Sequence, residues 1–275
     1  MREHLTRPYA ELACIYDQLL GRWFFPQLRR AMELALRRHG VRLDSVADVA
    51  CGTGTLIRWL CDRGARVAYG VDASPEMLRV ALIKNQGRPA RFLLQSFATF
   101  DLPRPVGLVT CTFDGLNYLL TPVALLAALR RFRANLVPGG HLVFDLVTDR
   151  PPGHGRAPRV ERVRRPGLTV VRVTRWDPRS KEQKAHVVIA RGGRRHHELH
   201  VQRGYPVGLV LQLLTTAGLT PVGVYDFETL APASSRTRRA LFVARYLLPF
   251  PPSAKMDRGR GGSDGADPGG RHRRA

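Results

Sequence analysis

Lysine is nearly absent from this chain: four of its 44 basic residues are lysine (Lys84, Lys181, Lys184, Lys255) and the rest are arginine. A GC-rich coding sequence produces that bias without selection for binding, so the formal net charge of +22 does not by itself select nucleic acid as a partner. Cysteine is scarce too. Cys14, Cys51, Cys61 and Cys111 form no C-x-x-C pair, so neither a disulfide framework nor a structural zinc site is signalled. Nor is there an apolar run approaching the roughly eighteen residues of a membrane span. The N-terminal stretch MREHLTRPYAELACIYDQLL is interrupted by charge every few residues. These absences predict a cytoplasmic, unexported protein without membrane contact. A hydrophobic content of 44% over 275 residues excludes a disordered chain and allows one large α/β domain with a smaller lobe.

What is present is ordered along the chain. From Tyr9 to about Gly40 apolar residues recur at helical spacing (Leu12, Ile15, Tyr16, Leu19, then Leu28, Met32, Leu36), with Gly21 and Pro26 predicting a break between two helices. From Val46 strand-like and helical segments alternate: VADVA, GTLIRWLCDRG, RVAYGVD, then SPEMLRVALIKN with Ser74 as N-cap and Pro75 in the first turn. ARFLLQ, GLVTCTF, PVALLAALRRFRANL and HLVFDLV continue the pattern. Alternation of this kind predicts a doubly wound, mostly parallel sheet covered on both faces. After Asp149 it gives way to LTVVRVTRW, KAHVVIARG and RHHELHVQR, an antiparallel meander with one wet face. A helix, PVGLVLQLLTTAG, and two strands, LTPVGVYDFETL and RRALFVARYLL, then complete the sheet. Residues 251–275 lack apolar periodicity and read as a disordered tail.

The chemistry concentrates in VADVACGTGTL followed by GVDAS. Asp48 near a strand end, the Gly52-x-Gly54 turn and Asp72 at the end of the next strand form a nucleotide-cofactor constellation: glycines let the backbone approach a ligand, and a carboxylate after the second strand accepts both ribose hydroxyls. A dinucleotide would need a third glycine where Ile57 stands, and Asp48 puts negative charge beside the loop. An anion is poorly served there, whereas a cationic aminoacyl group is well served.

On these residues the chain resembles the class I S-adenosylmethionine-dependent methyltransferases over about residues 9–247. TCTFDGLNYLL, LVPGGHLVFDLVT and HVQRGYPVGLVLQLLTTAGL match in order and spacing. Most similar are members with an antiparallel insert after strand five, such as glycine N-methyltransferase and the amino-sugar N,N-dimethyltransferases. The resemblance implies an α/β fold: a doubly wound, seven-stranded, mostly parallel sheet whose last strand is antiparallel, with a small antiparallel β insert as lid. It divides the chain into N-terminal helices covering the cofactor (1–45), a Rossmann-like core binding it (46–149), the acceptor lid (150–205), a C-terminal helix with the final strands (206–250), and the tail (251–275).

Carried over residue by residue, the resemblance implies that Asp48 faces the methionine ammonium while Ala50, Cys51, Gly52 and Gly54 line the methionine part. Asp72 takes the ribose, and Ala73 and Met77 flank the adenine. Ser96 stands where the family has an acid, followed by Phe97. Cys111, Thr112 and Phe113 pass beneath the sulfonium, and Tyr9 and Tyr16 close over the cofactor. Asn117 and Tyr205 are the candidates for catalytic groups at the nucleophile, and His200, Arg203, Asn117 and Tyr205 for substrate contacts.

The implied enzyme consumes S-adenosyl-L-methionine, releases S-adenosyl-L-homocysteine, and methylates a small-molecule acceptor, at nitrogen since no strong base is evident for a hydroxyl or carbon acid. Residues 150–200 hold fourteen basic against four acidic residues, which suits an anionic group on that acceptor. His196, Glu198 and His200 share one face of a strand, but no fourth ligand accompanies them and methyl transfer needs no metal. Two other functions compete: methylation of RNA or another polyanion, which the basic lid and tail favour, and a non-catalytic regulator that binds the cofactor. The expected assembly is a monomer or homodimer.

Overall fold

The computed structural model describes residues 2–150 and 157–247. The chain opens with β1 (Arg2–Thr6), a 3₁₀ turn (Ala13–Ile15) and a π-helical turn (Asp17–Gly21), then α1 (Arg22–His39). Next come β2 (Ser45–Val49), α2 (Thr55–Asp62), β3 (Val67–Asp72), α3 (Pro75–Lys84), β4 (Ala90–Leu94) and β5 (Val106–Cys111). A 3₁₀ turn (Gly115–Tyr118) leads to α4 (Pro122–Ala134) and β6 (Leu136–Val147). Four strands follow, β7 (Arg159–Arg165), β8 (Leu168–Asp177), β9 (Glu182–Arg191) and β10 (Arg194–Arg203), then α5 (Val207–Thr216), β11 (Thr220–Asp226) and β12 (Arg239–Arg245).

The main sheet has seven strands in the order β11-β12-β6-β5-β2-β3-β4. Only β12 runs against its neighbours. Strands β2, β5 and β6 are buried along nearly their whole length, as strands covered on both faces must be. Helices α1 and α2 bury Met32, Ala35, Ile57 and Leu60 against one face. On the other, α4 and α5 bury Leu125, Leu129, Phe132 and Leu214. Helix starts follow local chemistry: the Ser74 hydroxyl accepts from Met77 N at 3.2 Å and the Thr121 hydroxyl from Ala124 N at 3.1 Å, each with proline next in sequence. Strand order reverses between β2 and β5, so their carboxyl ends open a crevice of the kind in which α/β sheets bind ligands.

The insert forms a second sheet, β1-β10-β9-β8-β7, antiparallel except for β1, which pairs in parallel with β10. Here the structure departs from the sequence reading. Residues expected in N-terminal helices begin with a strand whose partners lie in β10, Arg2 opposite Arg194 through Thr6 opposite Glu198, a pairing that short-range periodicity cannot register. Pro26 breaks nothing: it sits early in α1, and the discontinuity falls at the π-helical turn before it. Strand β7 was hidden by its arginines. Leu12, Ile15, Val170, Val187 and Ile189 form a separate small core between the N-terminal segment and the second sheet. The expected tail, 251–275, lies outside the described residues.

Candidate active site

The carboxyl ends of β2, β3 and β5 bring three side chains together. Asp48 is 2% exposed, and its Oδ1 accepts a 2.6 Å hydrogen bond from the Thr110 hydroxyl on β5. Burial, partly offset by Thr110 and reinforced by Asp72, pushes the Asp48 carboxyl up to about 7. Asp72 accepts from Gly52 N and from Ser74 N, both at 2.8 Å, so one carboxylate orders the glycine loop and the turn that starts α3. Burial raises its pKa against those backbone donors. Gly54 has φ +71°, and a Cβ there would stand 2.7 Å from Asn85 Nδ2 and 3.0 Å from Ala81 Cβ, so only glycine lets the start of α2 approach α3.

A cavity of about 370 Å³ lies over this loop. Of the residues assigned to the cofactor from sequence, Tyr9, Tyr16, Asp48, Ala50, Cys51, Gly52, Asp72, Ala73, Met77, Ser96, Phe97, Thr112 and Phe113 line it. Gly54 and Cys111 do not: the first packs beneath the loop, and the second is fully buried under Gly115. The cavity also takes in residues that sequence reasoning passed over. Asp17, from the π-helical turn, accepts from Thr53 Oγ1 at 2.6 Å and pairs with Lys84 Nζ, which also donates to Thr53 at 2.8 Å and Thr55 at 2.7 Å. That cluster ties the N-terminal segment down onto the loop.

A second cavity, of about 530 Å³, opens between the insert sheet and the core. Tyr9, Tyr16, Phe24, Phe113 and Tyr118 line both cavities, so the two adjoin across an aromatic wall. Phe24 stacks on Phe113 at 3.8 Å between centroids, and the Tyr9 ring stands edge-on to Tyr16 at 5.9 Å. Backbone strain gathers here: Tyr9, Ala50, Phe113 and Asp114 are non-glycine residues with φ from +58° to +67°. Beneath the wall, Arg239 binds Asp145 at 2.6 Å and Asp114 at 2.5 Å, under the rings of Phe24, Phe113 and Phe227. Burial pushes the Asp145 carboxyl up to about 6 even with Arg239 beside it.

The lid side carries a polar chain. Tyr9 and Tyr118 hydroxyls lie 2.6 Å apart, Tyr118 OH is 2.7 Å from His200 Nδ1, and His200 Nε2 is 3.2 Å from Glu198 Oε2. Glu198 is fully buried and also accepts from Tyr9 N, Glu11 N and Leu12 N. Burial pushes its carboxyl up, but the hydrogen bonds from His200 and the backbone prevail and hold it below its ordinary value. His196, on the same strand face, turns instead to Glu11 at 3.4 Å.

Of the four residues expected to touch the acceptor, only His200 reaches this cavity. Asn117 is 1% exposed and spends its amide on backbone, donating to Val147 O (3.0 Å) and Arg203 O (2.6 Å) and accepting from Val147 N (3.1 Å). Tyr205 is buried with its hydroxyl on Leu119 O, and Arg203 donates to Leu120 O at 2.9 Å. These three join β6 to β10 and to the loop before α4. The polar group that does face the cavity is the neighbour of Asn117, Tyr118, because the 3₁₀ turn points successive side chains in different directions.

Known proteins share this architecture. Residues 46–140 match a family model described as a methyltransferase domain. The chain is 33% identical over 246 residues to the dTDP-3-amino-3,6-dideoxy-alpha-D-glucopyranose N,N-dimethyltransferase of Streptomyces fradiae, covering 83% of this chain and 94% of that protein. Among solved structures, the sugar N-methyltransferase KedS8 of a Streptoalloteichus species is 27% identical with TM-score 0.68, covering 86% of this chain and 94% of that one. An S-adenosylmethionine-dependent methyltransferase from Clostridium acetobutylicum shares the fold at TM-score 0.75 and 22% identity, covering 87% and 99%. The chain belongs to the S-adenosyl-L-methionine-dependent methyltransferases. It is an enzyme that uses this cofactor to methylate a small molecule. Among the described residues no helix is long and apolar enough to cross a membrane.

Proposed function

We propose that the protein methylates the amino nitrogen of an amino sugar carried on a nucleoside diphosphate. The observation that supports this most is the pair of cavities meeting at one aromatic wall: a donor held over the glycine loop and an acceptor held under the insert sheet would face each other there. Relatives that act on sugar nitrogens cover nearly their whole length with this chain. The donor set suits the cofactor on its own terms, since buried Asp48 and half-buried Asp72 flank a loop that itself contains no basic residue and whose neighbouring Lys84 is paired with Asp17, an arrangement for a cation and for ribose hydroxyls rather than for a pyrophosphate.

When bound, S-adenosylmethionine supplies a methyl group on a positively charged sulfur, already activated for displacement. The protein's part is then placement and exclusion of water. Asp72 would accept the ribose hydroxyls with lone pairs left over from Gly52 and Ser74. Asp48, deep behind the loop, would favour the ammonium end, and Ser96 and Phe97 would border the adenine. Tyr9, Tyr16 and Phe113 would shield the transfer axis and offer ring faces to the cation. At the acceptor, Arg159 and Arg172 share a single carboxylate, Glu161, at 2.8 and 3.7 Å, which leaves one positive charge for a diphosphate. All four cysteines are free, consistent with the cytoplasm as the working compartment.

Calorimetric titration with S-adenosylhomocysteine, with Asp72→Ala as control and NAD as competitor, tests the cofactor site. Incubating the enzyme and cofactor with dTDP-3-amino-3,6-dideoxy-α-D-glucopyranose, and following the sugar by mass, should then show one added methyl and afterwards two. Cofactor binding without any mass gain would reject the amino-sugar acceptor while leaving the cofactor site standing.

A further inference from the structure

Methylating an amine obliges the protein to dispose of a proton: the amine arrives as an ammonium, and after each transfer the nitrogen again carries charge until a proton leaves. We propose that His200 is the proton's destination, reached from the acceptor cavity through the hydroxyls of Tyr9 and Tyr118, and that Glu198 holds the imidazole in the tautomer that can receive it. This rests on the reading of the protein as an N-methyltransferase.

Hydrogen-bond direction follows from the partners. Glu198, ionised, can only accept, so the 3.2 Å contact places a hydrogen on His200 Nε2. Nδ1 therefore carries a lone pair and accepts from Tyr118 O–H at 2.7 Å. With that hydrogen committed, Tyr9 donates to Tyr118 at 2.6 Å, and the Tyr9 oxygen is left with lone pairs at the wall between the two cavities. A proton delivered by an ammonium N–H to the Tyr9 oxygen displaces the Tyr9 hydrogen to Tyr118 and the Tyr118 hydrogen to His200 Nδ1. The amine becomes neutral with its lone pair free, both phenols end as phenols, and the imidazolium formed is paired with the Glu198 carboxylate. No tyrosinate persists, in keeping with burial, which raises the pKa of both tyrosines.

Of the other charged groups at this cavity, Arg239 binds Asp114, Arg172 on β8 and Arg159 on β7 share Glu161, and Glu228 lines it from the segment after β11. The hydrogen bonds of the His200 ring among the described residues go to Tyr118 and Glu198. Glu198 also grips Tyr9 N, Glu11 N and Leu12 N, so the carboxylate that orients the imidazole also seats the segment covering the cofactor cavity. The relay is thus complete only when that cover is in place, which couples proton removal to exclusion of water.

The test has one arm that needs no acceptor. Nitrogen-15 spectra of the full chain, histidine-labelled and saturated with S-adenosylhomocysteine, should show His200, assigned by its loss in His200→Gln, as a neutral ring with hydrogen on Nε2 at about pH 7. Hydrogen on Nδ1, or a ring already charged there, overturns the proposal whatever the acceptor is. In the second arm, with the dTDP-amino sugar as probe, His200→Gln should keep the wild-type affinity for S-adenosylhomocysteine and lose about a hundredfold in kcat near pH 7, and Tyr118→Phe should show the same loss in kcat. Above about pH 9 the amine arrives neutral, and the loss should largely disappear. Unchanged kcat near neutrality, or a loss equally deep at high pH, overturns the relay. If the wild-type enzyme leaves the probe unmethylated, the amino-sugar reading fails, and the nitrogen-15 arm alone decides the relay.

Discussion

The two cavities meet at one wall, yet they are assembled in opposite ways. The first, proposed for the cofactor, comes largely from short consecutive segments at the ends of adjacent parallel strands, Asp48 to Thr55 and Asp72 to Met77, so a few residues of sequence carry most of its chemistry. The second, proposed for the acceptor, draws on Tyr9, Asp114, Tyr118, alternate residues of β7 to β10, Phe227 and Arg239. The consequence is energetic: Asp72 at the first cavity is satisfied by backbone N–H groups of the adjoining turns, whereas Asp114 and Asp145 at the second share one cation, Arg239, that comes from far along the chain.

The contrast is broken most severely at Arg239. Replacing it by methionine leaves fully buried Asp145 and its neighbour Asp114 without a counter-charge, and the protein should lose about 3–5 kcal/mol of stability in urea unfolding. An unchanged midpoint would mean that the acceptor floor does not rest on this ion cluster. Asp72→Ala removes the carboxylate proposed to accept the two ribose hydroxyls, held in place by Gly52 N and Ser74 N; at roughly 1.5 kcal/mol for each charge-assisted bond to the ligand, affinity for S-adenosylhomocysteine should fall about a hundredfold. A loss below about threefold would show that the ribose does not rest on Asp72.

Asn117→Ala separates structure from chemistry. It should cost about 2 kcal/mol of stability, because buried backbone groups at Val147 and Arg203 lose their partner, while cofactor affinity stays at the wild-type value. A stable Asn117→Ala protein with impaired turnover would restore a direct role for the amide. The smallest effect belongs to Asp48. Its folded pKa, pushed up to about 7, lies above the unfolded value, so its contribution to stability is complete below about pH 4 and is lost as pH rises through about 7. A cation bound next to it favours the carboxylate. Binding of S-adenosylhomocysteine near about pH 6.5 should therefore release a fraction of a proton, seen as a binding enthalpy that changes with the buffer's ionisation enthalpy and is flattened in Asp48→Asn. Identical heats in every buffer would separate Asp48 from the cofactor.

Much of the architecture could be read directly from local pattern. Alternating buried strands and amphipathic helices announced the parallel sheet, Ser74 with Pro75 marked the start of α3, and the alternation after Asp149 announced β8, β9 and β10. The acids and glycines of the loop stood out because each needs a particular backbone or carboxylate next to the ligand. The acceptor side was far less legible. TCTFDGLNYLL contains a turn that borders the second cavity, but its rotation puts Tyr118 there and sends Asn117 into the joint between β6 and β10. Arg203 and Tyr205 lie just where β10 returns to the core and are consumed by backbone carbonyls there.

What the sequence by itself determined is whatever depends on neighbours a few residues away: the βα alternation, the caps, the left-handed glycines of the loop and Asp72 two residues before the Ser74 N–H it binds. Tertiary structure alone decided the rest. Glu198 reaches back 189 residues to Tyr9 N, β1 pairs with β10 across a similar span, and Arg239 meets Asp145 from 94 residues away. Such contacts leave no periodic trace, because their geometry is set by how two sheets pack against each other and not by the dihedral angles of any one segment.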